Sequence, residues 1–555
     1  MNQKTGQGKG LLLIHPPAAK ICEAPGGPAR LAGALRRRGI LCRLWDANLE
    51  GQLALLDAEA RIVNGGFAGA GRAEGPPASG AHFAEGEAER MALPGTATGT
   101  WTRGAARRLA GHLAALRSWG LYGAPDRYRR AVTDVNRLLM TAAKPYGVRL
   151  SLADYEDRRL SPVKSADLLS AAAAPEANPF HAWFAVRLPE LLAEGPFSHV
   201  GFSLNYLSQA LTSFAMIGFL KRKHPRLRIV LGGGLVTSWM RGLGRRNLFP
   251  ELADDMIAGP GEIPLSALLG TPHDGGDDRP DLDGFPPDDY LAPGMILPYS
   301  ASGGCWWRRC SFCPEQAEGN PYRPLPPDRV TADLRDLVRR WQPALIHLLD
   351  NALSPALLKA LTLSPPGAPW YGFARITAEL ADREFCRRLR AAGCVMLKLG
   401  LESGDQGVLD ALGKGFPLAL AAAALENLRE AGIATYVYLL FGTPAETPAA
   451  ARRTLNFTVA HGEAIGFLNL AIFNLPACGS EAAQLTTGEF YPGDLSLYRS
   501  FTHPRGWQRG AVRRFLETEF KKDPTVAAIL RRDPPFFTSN HAPLLALAGR
   551  GRAFL

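Results

Sequence analysis

The chain has 555 residues, with 63 Lys and Arg against 52 Asp and Glu, a net charge of +11 and eight cysteines. That length exceeds what one core serves, so two or three domains are expected, each able to bury a core without disulfide staples. The arginines are spread rather than gathered in one stripe, which argues for a solvated basic surface over a nucleic-acid site. No apolar run reaches membrane-spanning length. Cys22, Cys42, Cys386, Cys394 and Cys478 are scattered, as in a reducing cytoplasm rather than a disulfide framework.

The start, MNQKTGQGKGLLLIHPP, has only four apolar residues before His15, too few for a secretory signal. From there a strand (GLLLIHPP), a turn at Gly26, Gly27 and Pro28, a helix (ARLAGALRRRG) and a second strand (ILCRLWDAN) predict a βαβ opening. About residues 52–195 read as an insertion, first rich in Ala and Gly with little periodicity and then partly helical. The α/β pattern resumes with HVGFSLNY, a helix from about Gln209 to Lys223, RIVLGGG and DDMIAGPGEIP. These pieces predict a doubly wound parallel sheet, closed by an Asp, Gly and Pro-rich linker at about residue 294.

Six further strands are predicted from ILPYSAS, ALIHLLD, WYGFARI, VMLKLGLE, ATYVYLLFG and FLNLAIFN, all but the last followed by a helical stretch. Six βα steps over 295–480 imply a partial (β/α)6 barrel, and 481–555 a mixed C-terminal extension. Beyond the strand ends lie Asp350 with Asn351, Arg375, Glu402 with Ser403, Gly442 with Pro444, and Asn474 with Pro476. One rim therefore gathers polar groups, although each is also a common cap or turn residue.

Behind the first of these strands stands GGCWWRRCSFCPEQ, with Cys305, Cys310 and Cys313 within nine positions. A closed zinc site wants four ligands, and no second Cys or His pair follows at zinc-finger spacing, although a distant fourth ligand such as Cys386 or His347 stays open. Three thiolates suit a cubane iron–sulfur cluster that keeps one iron free for another ligand.

The trio, Phe312 just before its last cysteine and the six-step barrel resemble the radical S-adenosylmethionine (SAM) enzymes. GLESGDQGVLDALGKG and YLLFGTPAET resemble segments of the subgroup in which a cobalamin-binding-type domain precedes the barrel. The likeness covers about residues 296–480. Its departure is four residues, WWRR, between the first two cysteines where the family usually has three. The resemblance implies a [4Fe–4S] cluster on Cys305, Cys310 and Cys313, with SAM on the open iron cleaved to a 5′-deoxyadenosyl radical. It further implies Phe312 on the adenine, Arg375 on the SAM carboxylate, Glu402 on its ammonium or ribose, and Asp350, Ser403 and Gly442 in the same shell. Trp306 and Trp307 would shield the cluster, with Arg308 and Arg309 near its charge.

The front domain resembles the cobalamin fold through Ser203, followed at the family's spacing by Gly232 and Gly233. The Asp-x-His-x-x-Gly motif of many relatives is absent, and His15, His82, His112, His181, His199 and His224 lack its surroundings. Cobalamin is expected without a protein histidine ligand, and a domain that has lost cobalamin stays open. The resemblance points to a single-cluster cytoplasmic enzyme for methyl transfer or radical rearrangement of a small molecule, served by an electron donor such as flavodoxin or ferredoxin. The alternative is a non-enzymatic zinc or iron–sulfur regulator.

Overall fold

The computed structural model of the chain describes residues 10–64, 99–242, 244, 246–272 and 278–549. Two parallel sheets organise it. The front sheet comprises Gly10–His15, Cys42–Asp46, Phe197–Ser203, Arg228–Gly232 and Asp255–Met256, in the spatial order second, first, third, fourth, fifth. Its first strand is buried throughout, as a parallel sheet covered on both faces requires. The order reverses between the first and third strands, and the crevice beyond their C-terminal ends is where such sheets hold ligands.

The helix Ala47–Val63 runs straight through Gln52, where the insertion was expected to begin. Asp46 caps it at Leu49 N, and the buried Gln52 amide donates to Ala19 O and Asn48 Oδ1 at 2.7 Å, so this turn belongs to the front domain. Its Ala/Gly-rich continuation, 65–98, lies outside the described residues. Residues 99–195 are more helical than the sequence suggested: Thr100–Leu116, Pro125–Ala143, Ser165–Ala173 and His181–Ala193 surround one short hairpin, Val148–Leu150 with Tyr155–Asp157. The linker is pinned down by charge. Asp278 meets Arg37 and Arg38, and Asp281 meets Arg36 at 3.1 Å, all on the helix Gly26–Arg37 or its C-cap.

The second sheet holds six parallel strands in sequence order: Ile296–Tyr299, Leu345–Leu353, Trp370–Ala374, Cys394–Glu402, Ala434–Phe441 and Phe467–Ile472. Six parallel strands in sequence order were expected here. Ser354, Asp382, Asp405 and Thr447 cap the helices that follow the middle strands, each satisfying N–H groups that a helix start leaves unpaired. After it come a three-stranded antiparallel sheet, Leu475–Pro476, Tyr498–Phe501 and Thr487–Glu489, and helices Arg509–Thr518, Pro524–Leu530 and Thr538–Ala548. Among the described residues no helix is long and apolar enough to cross a membrane.

Candidate functional site

The cysteine loop leaves the C-terminal end of the first barrel strand. Asp350, from the neighbouring strand, accepts from Ala301 N at 3.0 Å and from Ser302 Oγ, which fixes where the loop begins. Ser302–Gly303 pairs antiparallel with Arg323–Pro324, drawing the two ends of the loop together. Gly304 makes this possible, since at φ 71° a Cβ would overlap Pro321 O. Between these ends Cys305, Cys310 and Cys313 line one pocket with Arg308, Glu315, Gln316 and Asn320. A left-handed turn at Arg308, φ 51°, takes up the additional residue of WWRR. Burial pushes the Cys310 and Cys313 thiols up, opposed at Cys310 by the charges of Lys414 and Arg375. Three thiols around one cavity fit a cluster whose irons would take the place of their protons.

The loop rests on a second one, Gly413–Gly415, which the sequence did not mark as functional. Trp307 Nε1 donates to Gly413 O at 2.8 Å, and its indole covers Gly415 so closely that a Cβ there would overlap the ring. Arg375, only 7% exposed, lies 4.1 Å from the centre of the Trp307 ring. Its Nη1 is 3.6 Å from Cys310 Sγ and its Nη2 donates to Lys414 O. Glu402 leaves its strand at φ 69°, and its Oε1 accepts from the buried Lys414 Nζ at 3.1 Å. The same ammonium stands 5.7 Å from the Phe312 ring, which packs on Val408, Leu412 and Ala450. Phe312, Arg375 and Glu402 are thus brought together with the thiols.

Other expected members of that shell are occupied elsewhere. Asp350 clasps the start of the loop. Ser403 is buried, sharing a hydrogen bond with Thr454 Oγ1 at 3.1 Å and accepting from Asp405 N, because the strand end turns it away from the rim. Gly442, at φ 77°, faces Val512 of the C-terminal extension and donates to Glu446 Oε2. Trp307 carries Arg375 on its ring, while Trp306 donates to Leu353 O at 3.3 Å. Arg309 lies over the Trp307 ring.

Glu446 carries no sequence signal of its own. Oε2 accepts from Gly442 N and from Trp507 Nε1, Oε1 has no partner among the described residues, and burial raises its carboxyl to about 7. A carboxyl raised above its unfolded value of 4.5 contributes stability in full below that pH and loses it as pH rises through 7. Asp533, raised by burial to about 7, adds to the same window. Glu446→Gln should therefore flatten the fall in thermal midpoint between about pH 5 and 8 and raise the midpoint at pH 8. An unaltered slope in thermal unfolding would assign the titration elsewhere.

In the front sheet Ser203 ends its strand in register with Gly232. Its Oγ accepts from Asn205 Nδ2 at 3.2 Å, and Asn205 Oδ1 accepts from Gly234 N at 3.0 Å. Gly233, at φ 105°, lets the two loops touch, since a Cβ would overlap Leu204 O. At Gly232 a Cβ would meet nothing nearer than 3.9 Å, so this backbone lies open in the crevice. His15 is buried beside Asp46, and burial lowers its pKa. His112 meets Asp134, His199 shares a hydrogen bond with Ser198 Oγ, and His82 lies outside the described residues. The crevice and the cysteine loop meet where Ser238 Oγ donates to Glu318 Oε1 at 2.6 Å.

A polar cluster inside the barrel is equally silent in the sequence. His347 Nδ1 donates to Glu23 at 2.9 Å, its Nε2 accepts from Lys398 Nζ at 3.1 Å, and its ring stacks on Tyr371. Burial lowers Lys398 to about 8 against the pull of Glu23. His347 is committed here and Cys386 is buried with its thiol on Leu380 O, so neither stands at the cysteine loop as a fourth ligand. Among the described residues no three His, Cys, Asp or Glu side chains are disposed to hold a single metal ion.

Residues 299–458 match the family model of the Radical SAM superfamily. An uncharacterized protein of Methanopyrus kandleri is 26% identical over 165 residues, covering 26% of this chain and 31% of that protein. The anaerobic magnesium-protoporphyrin IX monomethyl ester cyclase of Cereibacter sphaeroides is 28% identical over 153 residues, 26% of this chain and 25% of the cyclase. The matches thus span a quarter to a third of these relatives' length. Among solved structures, the cobalamin-dependent SAM radical enzyme OxsB with aqua-cobalamin bound aligns over 57% of each chain at 14% identity and a TM-score of 0.44. The radical SAM methyltransferase TsrM of Kitasatospora setae, with cobalamin and a [4Fe–4S] cluster bound, aligns over 57% of this chain and 73% of its own at 19% identity and a TM-score of 0.42.

Proposed function

We propose that this chain, whose residues 299–458 match the Radical SAM superfamily model, is an enzyme that binds a [4Fe–4S] cluster on Cys305, Cys310 and Cys313 and cleaves SAM reductively. The observation that carries this reading is the convergence of three thiols on one pocket at the C-terminal end of the first strand of a six-stranded parallel barrel. When bound, the cluster supplies the low-potential electron that breaks the sulfonium carbon–sulfur bond and gives methionine and a 5′-deoxyadenosyl radical.

The chain's own residues supply position and shielding. Asp350 and the Ser302–Gly303 pairing hold the loop ends, while Arg375, stacked on Trp307, lies against Cys310 Sγ. Lys414 and Glu402 offer an ammonium and a carboxylate beside Phe312, a set suited to the zwitterionic and adenine parts of SAM. The open backbone at Gly232 and the loops of Ser203 and Asn205 line the crevice that would hold cobalamin. With that cofactor, methyl transfer or radical rearrangement of a small molecule is the reaction proposed.

Anaerobic reconstitution with iron and sulfide should give a brown protein with about four irons per chain. Addition of dithionite or a flavodoxin donor and SAM should then yield 5′-deoxyadenosine. A colourless protein that retains zinc and leaves SAM intact would replace this reading with the metal-binding regulator.

A further inference from the structure

The loop after the first front strand ties the barrel to the helix Thr538–Ala548. Glu23, on the loop after the first front strand, reaches His347, and Asn540 Nδ2 of the last helix donates to Glu23 Oε1 at 3.1 Å. Lys20 Nζ donates to Thr538 Oγ1 at 2.6 Å. Beside them Gly26 lies against Leu349 and Pro298, where a Cβ would come within 2.6 Å of Leu349 Cδ1. His347 and Lys398 share the sheet face that carries Glu402 to the cysteine loop, because strand residues two apart point the same way.

A side pocket exists at the C-terminal end of the sixth strand. Its volume is about 290 Å³, at the lower end of the range of about 300–1,000 Å³ typical of small-molecule sites. Leu470 and Asn474 of the barrel, Leu207 of the front domain, and Phe490, Tyr498 and Arg509 of the C-terminal extension line it. Arg509 Nη1 donates to Asn474 Oδ1 at 2.8 Å and its guanidinium lies 5.0 Å from the centre of the Phe490 ring. That bond orients Asn474 with its amide N–H groups away from the arginine and available to a ligand.

Two contacts tie this pocket to the proposed reaction centre. Tyr498 is in register with Pro476, and its phenol is raised by burial and by Glu318, five residues beyond Cys313. Gly479 approaches Ala317, a Cβ there coming within 3.5 Å of its methyl. On the opposite wall, Leu207 follows Tyr206, which leaves 58% of its surface open. Desolvation and the charges of Glu23 and Cys22 raise the Tyr206 phenol.

We propose that this pocket is the substrate site and that it takes a flat aromatic molecule bearing a carboxylate, its ring against Phe490 and Tyr498 and its acid group on Arg509 and Asn474. Ring faces supply most of the contact area, and a guanidinium with an adjacent amide matches the two oxygens of an acid. The assignment of this ligand as substrate rests on the radical SAM reading, whereas its binding does not need the cluster.

Equilibrium dialysis of the full chain against 2-naphthoate, 2-naphthamide and hexanoate tests it. Wild type should bind 2-naphthoate at least tenfold more tightly than either of the others. Arg509→Gln and Asn474→Asp should each lose tenfold or more for 2-naphthoate and little for 2-naphthamide, with thermal unfolding confirming that both variants fold. Leu470→Trp, which fills the cavity, should weaken both aromatic probes. Equal binding of all three probes by wild type, or undiminished 2-naphthoate binding in Arg509→Gln and Asn474→Asp, overturns the site. A protein that binds 2-naphthoate with this selectivity but forms no 5′-deoxyadenosine keeps the pocket and loses the reaction, and the converse loses only the pocket.

Discussion

Cys305→Ala, Cys310→Ala and Cys313→Ala should each strip the protein of iron and end 5′-deoxyadenosine formation, whereas Cys386→Ala and Cys394→Ala should keep both. Three thiolates are the fewest that hold a cubane cluster while leaving one iron open, so removing any one leaves two ligands and no stable cluster. The buried pair is different in kind. Cys386 points at Leu380 O and Cys394 at Met396 O, both in the packed wall of the barrel, and burial pushes the Cys386 thiol up to about 12. Each behaves as a small apolar side chain, and truncation costs about 1 kcal/mol of stability through the lost sulfur contacts. Iron and sulfide analysis alongside 5′-deoxyadenosine assays on the same samples distinguishes the two groups. Loss of metal from Cys386→Ala alone would revive a four-ligand zinc site.

The contrast shows which parts of the molecule could be read from sequence. Strands such as VMLKLGLE announce themselves because a buried parallel strand needs a continuous apolar run, and the cysteine loop does so because its ligands are neighbours in the chain. Arg375 and Glu402 were found because barrel strands deliver the residues after their C-terminal ends to one rim. Position at the rim does not fix direction, however. Ser403 follows Glu402 directly, yet its hydroxyl turns into the helix Pro448–Ala460 to meet Thr454, and Gly442 faces the C-terminal extension. Lys414 escaped notice because a lysine between two glycines looks like an exposed turn, when the glycines are there to let Trp307 and the Arg309 carbonyl close over it. Glu23 meets His347 across 324 positions and Asn540 across 517. No local pattern encodes such a pairing, since the partners lie on separate elements far apart in the chain.

The geometry also changes what is expected of the rim. From the sequence, Arg375 and Glu402 hold SAM while the thiolates hold iron, and Arg375→Ala should leave the cluster intact. In the structure Arg375 lies against Cys310 Sγ and Trp307 and caps the Lys414 carbonyl. Arg375→Ala should consequently lower iron loading as well as SAM binding, since it removes the stacking and strands a buried acceptor, a loss of about 2–3 kcal/mol. The pair Glu402 and Lys414 offers the cleaner separation. Their side chains are 12% and 5% exposed, so Lys414→Met leaves a nearly buried carboxylate without its counter-ion and costs about 3–5 kcal/mol. Adding Glu402→Gln removes that carboxylate, and the double variant should recover most of the lost stability and load iron fully. SAM binding, measured by isothermal titration to the anaerobic protein, should stay weakened in the single and double variants alike, because the ammonium is missing from both and the double variant lacks the carboxylate as well. If the double variant regained SAM binding together with stability, the pair would be a strut for the Gly413–Gly415 loop and nothing more.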